Sequence, residues 1–506
     1  MLSLLRSHRW QILIFLTEFV YMGVELVASR VMSPTFGTTL NIWSAIIGTI
    51  LASSALGNWL AGRISDDVEK RETWIVRSLL ICAFWLGLVP VLFQSLVDSG
   101  IATVFPVTVA ALIVCVVLFL VPGVCIGSLS PLVLAQNAYE QELEVGAAGS
   151  SLYTAMTLGG LIGTFAAGFW LVPFFGSEKF VFLMADACLL LAIAAAVMLH
   201  KFMNKKVLWP AVGTAVLLVS MFVLSTIPSS SVGVDVWRDT QYGRAHVMDG
   251  FKETRPLRNL LVSGGYESAM YLDDATYCEP VFEYVSRVCN VVDSSVKEDD
   301  KVLCLGGGAY SAPKWIASNC GTAVEVIEID AGITGLANEY FHVQEVSDSS
   351  KHGIVTHEGD ARVVMPSLGS ETYSVVFNDT FAGEEPAVAL STVEAAREVK
   401  SRLKPDGIYI SNVIGTFDGA DDEFLGWEVK TLKEVFGYVH VYAVYDSYAE
   451  NSDLELNWVV VATDNENWKA PDDFIEVDIA QDKAEVLTDD DCPVEYLVAR
   501  MKMRDR

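Results

Sequence analysis

The stretch KVLCLGGGAYSAPKWIASNCGTAVEVIEID, residues 301–330, decides the fold of the C-terminal half of this chain. An apolar run at 302–305 predicts a buried strand, and three glycines break it, Gly306, Gly307 and Gly308. A helix is expected to begin at Ser311, and a second buried strand is expected at 323–329. Strand, glycine turn, helix and strand in this order indicate adjacent strands of a parallel sheet.

The same stretch predicts a nucleoside site. Glycines let a ligand approach the backbone at a helix N-terminus, where free N–H groups favour negative or polar groups. Glu328 lies at the end of the second strand, about 20 residues beyond the glycines, where a carboxylate can bind two ribose hydroxyls. A tight turn that binds no ligand is the alternative interpretation.

Strands and helices alternate beyond residue 301, which predicts a doubly wound, Rossmann-like parallel sheet. Further strands are expected at 353–356, 373–377, 407–413, 439–444 and 456–462, with a helix at 387–403. Asp360 follows the third strand, where it can accept the exocyclic amine of adenine, and Asn378 and Asp379 follow the fourth. Because ligands bind at the carboxyl edge of such sheets, we expect Glu328, Asp360 and Asp379 to share one rim.

Charge and hydropathy divide the chain into an apolar part and an acidic part. The 506 residues have a mean hydropathy of +0.39 and a formal net charge of −29. Residues 1–230 carry 11 Lys and Arg against 12 Asp and Glu, a net charge of −1, so the remainder carries −28 of the −29. Acidic surfaces repel phosphates, so no nucleic-acid partner is expected. Nine cysteines without a CxxC pair, and histidines without an HExxH pattern, predict no metal.

The apolar part predicts a bundle of about seven transmembrane helices, with the lipid bilayer as its partner. Runs long enough to cross a bilayer lie at 11–29, 43–62, 74–97, 104–127, 149–170, 178–199 and 206–226. Gly159, Gly160, Gly163 and Gly168 are expected to allow close helix packing. The segment GNWLAGRISD at 57–66 resembles the loop after the second helix of major-facilitator transporters.

Two acidic residues stand out in the first apolar run. Glu18 and Glu25 are seven residues apart and share a helix face, and Arg30 is placed to neutralise one of them. Ionisable groups inside lipid are costly. They predict either a path for a solute or a proton, or a buried pair that locks the bundle.

The distribution of basic residues leaves the side of the membrane open. If the runs alternate in direction, one side carries Arg6, Arg9, Arg63, Lys70, Arg71, Arg77, Lys201, Lys205 and Lys206, and that side is expected to be cytoplasmic. Seven spans would then place the C-terminal half outside, whereas a nucleoside-using enzyme is expected in the cytoplasm. A re-entrant segment at 130–137 would reconcile the two. We expect a multi-pass plasma (inner) membrane protein that can form a homo-oligomer.

The expected domains are a transmembrane bundle at 1–230, a small β-rich domain at 231–290, a Rossmann-like nucleoside-binding domain at 291–470 and an acidic, loosely ordered tail at 471–506, with a last helix near 493–503. Turns at Asp249-Gly250 and Gly264-Gly265 separate the short strands of the β-rich domain.

Four motifs in the C-terminal half, in this order and spacing, resemble spermidine synthases, and most closely the membrane-fused group with an N-terminal helical bundle. They are GGGAYS at 306–311, VIEID at 326–330, EGDAR at 358–362 and NDTFAGEEPAVALSTVEA at 378–395. QYGR at 241–244 fits the β-rich domain of that family. The resemblance implies a methyltransferase-type fold, and attack on the carbon beside a sulfonium with loss of methylthioadenosine.

The resemblance also implies the roles of individual residues. It assigns Asp379 to catalysis and the nucleoside to Gln241, Gly306, Gly307, Gly308, Glu328, Asp360, Ala361 and Asn378. No separate cofactor is implied, because S-adenosylmethionine or its decarboxylated form is the substrate.

Three departures from the family affect its diamine pocket. Ala309 and Tyr310 stand where the glycine motif of soluble members carries an aspartate. Asn378 and Phe381 stand where a pair of aspartates is usual, and Cys278 replaces a histidine or glutamine after Tyr277. A diamine needs carboxylates that bind it and a base that frees one amine.

These departures lead us to rank three functions. The first is an S-adenosylmethionine lyase, in which the methionine carboxylate closes on its own chain to give homoserine lactone and methylthioadenosine. The second is aminopropyl transfer from decarboxylated S-adenosylmethionine, with Asp379 as base. The third is a non-catalytic, nucleoside-sensing domain on a transporter-like bundle.

Overall fold

The structure is a computed structural model that describes residues 8–36, 40–141, 145–201, 204–226, 233–382, 385–417, 423–445, 456–494 and 496–498. Its internal contacts divide the chain into two units, Met1–Ser230 and Ser231–Arg506.

The N-terminal unit is a bundle of apolar helices, as predicted. The long helices are α1 (Arg9–Phe36), α2 (Leu40–Gly62), α3 (Val68–Asp98), α4 (Val107–Gln141), α5 (Val145–Ala166), α6 (Ser177–Met198) and α7 (Lys205–Thr226). Short helical segments at Ile101–Val104, Ala167–Leu171 and Val172–Phe175 connect some of them. Within the described residues, six helical stretches are long and apolar enough to cross a bilayer, one fewer than predicted. Helix α7 is 22 residues long, and its stretch Val207–Ser220 is apolar as well.

Small residues bring α5 against α1, as the glycine spacing predicts. A Cβ atom added to Gly159 would lie 2.1 Å from the Phe15 carbonyl oxygen, and one added to Gly163 would lie 2.5 Å from that of Phe19. Both obstacles are backbone atoms, so larger residues would force the two helices apart.

Charged groups of the bundle are paired mainly at one end. Glu140, near the end of α4, accepts hydrogen bonds from Arg9, from the indole of Trp10 at 2.6 Å and from Gln136 at 2.9 Å. Gln136 in turn accepts from the buried Arg71 of α3 at 2.8 Å. This network connects α1, α3 and α4.

Two expectations for the bundle differ from the structure. Glu18 and Glu25 are partly buried in α1, and neither forms a hydrogen bond or an ion pair with another described residue, so Arg30 does not neutralise them there. Residues 130–137 continue α4, a single helix of 35 residues, so they form no re-entrant segment. A long apolar run favours an unbroken helix even where it contains Pro131.

The C-terminal unit begins with a four-stranded antiparallel sheet. Its strands β1 (Asp235–Asp239), β2 (Arg244–Lys252), β3 (Arg255–Val262) and β4 (Gly265–Tyr271) pair in sequence order. Ala245, Val247 and Leu260 on its inner face pack with Ile333 and Leu336 of the larger domain. A β-rich segment was predicted here.

A seven-stranded sheet forms the centre of this unit. Its strands are β5 (Lys301–Leu305), β6 (Ala323–Glu328), β7 (Ile354–Glu358), β8 (Tyr373–Asn378), β11 (Leu403–Gly415), β12 (Tyr438–Ala443) and β13 (Leu456–Thr463). A small hairpin, β9 (Phe381–Ala382) and β10 (Glu385–Pro386), follows β8. The strand order is β12-β13-β11-β8-β5-β6-β7, and β13 runs antiparallel to both of its neighbours. The fold is therefore Rossmann-like but mixed, not wholly parallel, because apolar runs specify burial and not strand direction.

Helices cover both faces of this sheet. They are α8 (Glu283–Ser295), α9 (Ser311–Asn319), α10 (Ala331–Tyr340), α11 (Val343–Ser349), α12 (Val393–Arg402) and α13 (Phe424–Lys433), with single turns at Ala361–Val364, Met365–Ser367 and Val388–Leu390. The helix predicted at 387–403 is wrong at its beginning. Thr392 caps α12 by accepting from the Ala395 N–H at 3.3 Å, so a new helix begins there.

Residues beyond Trp468 pack on the domain up to residue 494, so the expectation of a loose tail is wrong for that segment. Val477, Ile479, Leu487 and Val494 are buried in the core. The Val477 N–H donates to the Val441 carbonyl at 2.8 Å, which covers the outer edge of β12. Most of the helix predicted near 493–503 lies outside the described residues.

Candidate functional site

Strand register brings the predicted residues to one edge of the large sheet. Leu305 of β5 lies opposite Asn378 of β8 and opposite Ile327 of β6, and Glu328 lies opposite Glu358 of β7. The Asp379 N–H then donates to the Leu305 carbonyl at 2.9 Å. The segments that follow four neighbouring strands therefore form one rim, as expected for the carboxyl ends of parallel strands.

The glycine turn and Glu328 form a single unit at this rim. Glu328 is 7% exposed, and its carboxylate accepts from the N–H groups of Gly307 at 2.7 Å, Gly308 at 3.3 Å and Asp330 at 2.9 Å. Burial raises the pKa of Glu328, and these three hydrogen bonds oppose the rise. The carboxylate is thus held in one orientation beside the turn.

Gly306 is required because the chain turns sharply next to Asp379. Its φ is +87°, and an added Cβ would lie 2.3 Å from the Asp379 carbonyl oxygen. A side chain here would push Asp379 away from the glycine turn.

Asp360 and Ala361 lie beside Glu328 on the same rim. The Gly359 N–H donates to the Glu328 carbonyl at 2.9 Å, and Asp360 follows directly. One carboxylate oxygen of Asp360 accepts from the Arg362 N–H at 2.8 Å, while the side chain is exposed to solvent. Ala361 is buried beneath it.

Gln241 is brought to the rim by the turn between β1 and β2. The neighbouring Thr240 hydroxyl donates to Asp330, the residue that caps α10 two positions after Glu328. Gln241 itself is exposed. The hydrogen bond between Thr240 and Asp330 thereby connects the small sheet to the rim of the large sheet.

Asn378 points into the core. Its amide NH2 donates to the Tyr409 hydroxyl at 3.0 Å, and its oxygen accepts from the Thr380 hydroxyl at 2.8 Å. Both polar atoms of the amide are hydrogen-bonded within the protein, so Asn378 stabilises the end of β8 from the core side.

Asp379 has two neutral hydrogen-bond donors that sequence reasoning missed. The Tyr284 hydroxyl of α8 donates to Oδ2 at 3.1 Å, and the Asn412 amide of β11 donates to Oδ1 at 2.9 Å. Burial raises the pKa of Asp379, and the hydrogen bonds from Asn412 and Tyr284 oppose the rise. Neither donor carries a positive charge, so the carboxylate keeps its full attraction for a cation.

Two further acids lie around Tyr284, and sequence reasoning missed these too. Burial, then the charge and hydrogen bond of Asp379, then the charge of Glu267, raise the pKa of Tyr284. The charge of Tyr445 also raises the pKa of Tyr284. The pKa of Tyr445 is in turn raised by burial and then by the charge of Glu283. Because these residues come from β4 and α8, far from Asp379 in sequence, no local motif indicates them.

The residues that depart from the family motifs are buried in the fold. Ala309 and Tyr310 are both fully buried, and the Tyr310 hydroxyl is within 3.2 Å of Thr334 and 3.0 Å of Thr356. Cys278 is buried against α9, with its sulfur 3.3 Å from the Ser318 hydroxyl. None of these three side chains is among the groups that surround Asp379.

Within the described part of the chain, no cluster of three or more His, Cys, Asp or Glu side chains could hold a metal ion. The expectation that the reaction uses neither a metal nor a separate cofactor stays a prediction.

Residues 281–446 match the family described as the spermine/spermidine synthase domain. The C-terminal unit thus contains a spermidine synthase domain, and the resemblance stated from the motifs is confirmed. The match includes Glu328, Asp360, Asp379 and the glycine turn.

Two relatives extend the comparison beyond that domain. The chain is 22% identical over 448 residues to polyamine aminopropyltransferase 2 of Aquifex aeolicus, covering 85% of this chain and 84% of that protein. It is 26% identical over 308 residues to polyamine aminopropyltransferase 2 of Streptomyces coelicolor, covering 56% of this chain and 52% of that protein. A crystal structure of a probable spermidine synthase from Corynebacterium glutamicum is 20% identical, with a TM-score of 0.41, covering 47% of this chain and 84% of that one.

Proposed function

We propose that the C-terminal unit transfers an aminopropyl group from decarboxylated S-adenosylmethionine to an amine and releases methylthioadenosine. The observation that carries this proposal is Asp379, a partly buried carboxylate beside the glycine turn whose hydrogen-bond donors among the described residues, Tyr284 and Asn412, are both neutral. The relatives, both named as polyamine aminopropyltransferases, favour this reaction over the lyase that the sequence ranks first.

In this proposal the donor nucleoside binds along the rim. Glu328 accepts the ribose hydroxyls, Asp360 accepts the adenine amine, and the backbone of Gly306–Gly308 lies beneath the sulfur end. Gln241 and Ala361 border the nucleoside, and Asn378 holds the strand end from inside. The hydrogen bonds that orient Glu328 support its role, because an oriented carboxylate loses little freedom on binding.

Asp379 is then the general base. The amine nitrogen attacks the propyl carbon beside the sulfonium, the carbon–sulfur bond breaks, and its electron pair neutralises the sulfur. The proton lost by the amine passes to Asp379. Burial that raises the pKa of this carboxyl brings it closer to that of the amine, which favours the transfer of the proton.

The acids near Tyr284 favour a di- or polyamine as acceptor. The family's second aspartate is absent, but Glu267 of β4 and Glu283 of α8 lie near Tyr284 and Tyr445. Glu267, which is partly buried, is the better placed to hold a second ammonium group while the first is deprotonated at Asp379, because Glu283 is exposed and paired with Arg287 at 3.5 Å.

The same charges argue against the lyase. Lactone formation requires the carboxylate of S-adenosylmethionine to fold next to its reacting carbon. Asp379 and Glu267 would repel that carboxylate, and the decarboxylated donor has none. This argument also predicts the choice of donor.

Release of methylthioadenosine tests the proposal. Purified protein is incubated with either decarboxylated S-adenosylmethionine or S-adenosylmethionine, each with and without putrescine, and the products are identified by mass spectrometry. We expect methylthioadenosine and spermidine only with the decarboxylated donor and putrescine together. Methylthioadenosine formed from S-adenosylmethionine alone would establish the lyase, and binding without any product would establish the sensor.

We further propose that α1–α6 cross a bilayer and, from the placement of the basic residues alone, that α7 does not and that the C-terminal unit faces the cytoplasm. Six crossings would put Arg9, the basic residues between α2 and α3, and Lys201 on one side together with the C-terminal unit. Reporters fused to the C-terminus that are active on only one side of the membrane test this. Activity on the outer side would show that α7 crosses as well.

A further inference from the structure

Asp379 is connected to a third strand by a pair of asparagines. The Asn457 amide of β13 donates to Oδ1 of Asn412 at 3.0 Å, and the Asn412 amide donates to Oδ1 of Asp379 at 2.9 Å. Asn412 is 3% exposed. The side chains form a chain of hydrogen bonds from β13 through β11 to the end of β8.

The first hydrogen bond decides the direction of the second. An asparagine side chain has one accepting oxygen and one donating NH2 group, which lie in one plane on opposite sides of the amide carbon. Because Asn457 donates to the oxygen of Asn412, the NH2 group of Asn412 must face Asp379. If the amide turned over, its oxygen would face the carboxylate, and two acceptors would repel each other.

We propose that Asn457 is a positioning residue, which holds the Asn412 amide with its NH2 group toward Asp379. Asn412 touches the base, while Asn457 acts only through Asn412. The inference rests on the proposed function for its effect on turnover, but the orientation of Asn412 is independent of that function.

The sheet itself does not depend on this side chain. Strand β13 pairs with β11 from Ile408 to Gly415 and with β12 along its other edge, so backbone hydrogen bonds hold Asn457 in register opposite Ile414. Asn457 is only partly buried. Replacing its side chain therefore removes one hydrogen bond and leaves the strand in place.

The other titratable groups near Asp379 come from several elements. Tyr284 on α8 and Cys304 on β5 interact with Asp379 itself, and Glu267 on β4 and Tyr445 after β12 interact with Tyr284. All four are unchanged in variants of Asn457. In Asn457→Leu and Asn457→Gln, which add no charge, a change in the proton affinity of Asp379 thus reports on Asn412.

Three substitutions at this position test the inference. Asn457→Leu has similar volume and no donor, Asn457→Asp can only accept, and Asn457→Gln keeps the donating NH2 group. We expect the pKa of Asp379 to rise by about one pH unit in Asn457→Leu, further in Asn457→Asp, and little in Asn457→Gln. Asn319→Asp, an exposed asparagine on α9, controls for added charge.

Two readouts separate this inference from the proposed function. Infrared titration follows the band of the protonated Asp379 carboxyl, assigned by its loss in Asp379→Asn, and needs no turnover. The pH profile of kcat follows the same group in the reaction, and on its acidic limb we expect kcat to fall about tenfold in Asn457→Leu with an unchanged KM for the donor.

Each outcome decides the inference. An infrared pKa that is equal in the wild type, Asn457→Leu and Asn457→Asp overturns it, even if activity falls. If the infrared pKa shifts in a protein that transfers no aminopropyl group, the role of Asn457 in orienting Asn412 is supported and the proposed aminopropyl transfer is rejected. If Asn457→Leu fails to fold, Asn457→Ala takes its place in the comparison with Asn457→Gln, because it also lacks the donor and adds no charge.

Discussion

Glu328 lies at the rim where the nucleoside is proposed to bind, and three backbone N–H groups hold its carboxylate there. We predict that Glu328→Ala weakens binding of methylthioadenosine by about 1–3 kcal/mol, the scale of hydrogen bonds to a charged group. Calorimetry measures the affinity. Glu358→Ala is the matched control, since Glu358 lies opposite Glu328 in register and is exposed. An equal affinity in wild type and Glu328→Ala would show that the ribose does not bind at Glu328.

Asp379 combines the proposed attraction for the amine with the proposed removal of its proton. Asp379→Asn keeps an oxygen that can accept from Tyr284 but loses the negative charge and the base. We predict that turnover falls about 100-fold or more, the usual scale for a lost acid–base group. Binding of the nucleoside should change less, because Glu328 and Asp360 remain. Steady-state kinetics and calorimetry on one preparation compare the two effects, and a variant with normal turnover would exclude Asp379 as base.

Glu428 on α13 provides a prediction about stability and pH. Its side chain is buried, and burial raises the pKa of its carboxyl from 4.5 to about 8. The unfolded chain releases this proton near its ordinary pKa, whereas the folded chain retains it, so stability is lost as pH rises from about 4.5 to about 8. Glu428→Gln should therefore raise the unfolding free energy by up to about 3 kcal/mol at pH 7 and by little at pH 4.5.

Thermal unfolding of the purified protein at several pH values measures this difference. Glu434→Gln, an exposed change at the end of the same helix, is the control and should have no such pH dependence. A gain from Glu428→Gln that is the same at pH 4.5 and pH 8 would mean that the carboxyl ionises normally in the fold.

At the scale of elements, the contact between α1 and α5 depends on a missing side chain. Gly159→Ala would put a methyl group against the Phe15 carbonyl, a backbone atom that cannot rotate away. We predict a loss of about 1–3 kcal/mol, the usual cost of overpacking. Gly168→Ala is the matched control, because its methyl group would lie 4.0 Å from Leu26. Thermal stability in detergent compares the two, and equal stabilities would show that α1 and α5 are not packed as described.

Local sequence patterns could predict the elements whose cause is local. The strand, glycine turn and helix of residues 301–330 follow from a short apolar run and the conformational freedom of three glycines. The direction of β13 and the packing of residues 469–494 depend on contacts between residues far apart in sequence. Local hydrophobic periodicity does not indicate such contacts.

The candidate site divides in the same way. Glu328, Asp360 and Asp379 could be predicted, because each follows an apolar strand and the ends of parallel strands meet. Tyr284, Asn412 and Asn457 could not, since they belong to two other strands and a helix that come together around Asp379 only in the folded sheet.

For the molecule as a whole, the division of charge agrees with the proposed substrates. The first 230 residues are nearly neutral at −1, and the remainder carries −28 of the total −29. A strongly acidic unit raises the local concentration of cations such as amines and sulfonium donors. The same acidity opposes anionic substrates, which is consistent with a donor that has lost its carboxylate.

The fate of the three-carbon chain tests the central claim most directly. The protein is incubated with unlabelled putrescine and with decarboxylated S-adenosylmethionine that carries carbon-13 in its aminopropyl group. The products are identified and quantified by mass spectrometry. Aminopropyl transfer predicts that every methylthioadenosine released is matched by one amine product that carries the whole labelled chain. Methylthioadenosine that appears without labelled amine, or at the same rate when putrescine is left out, would contradict the account.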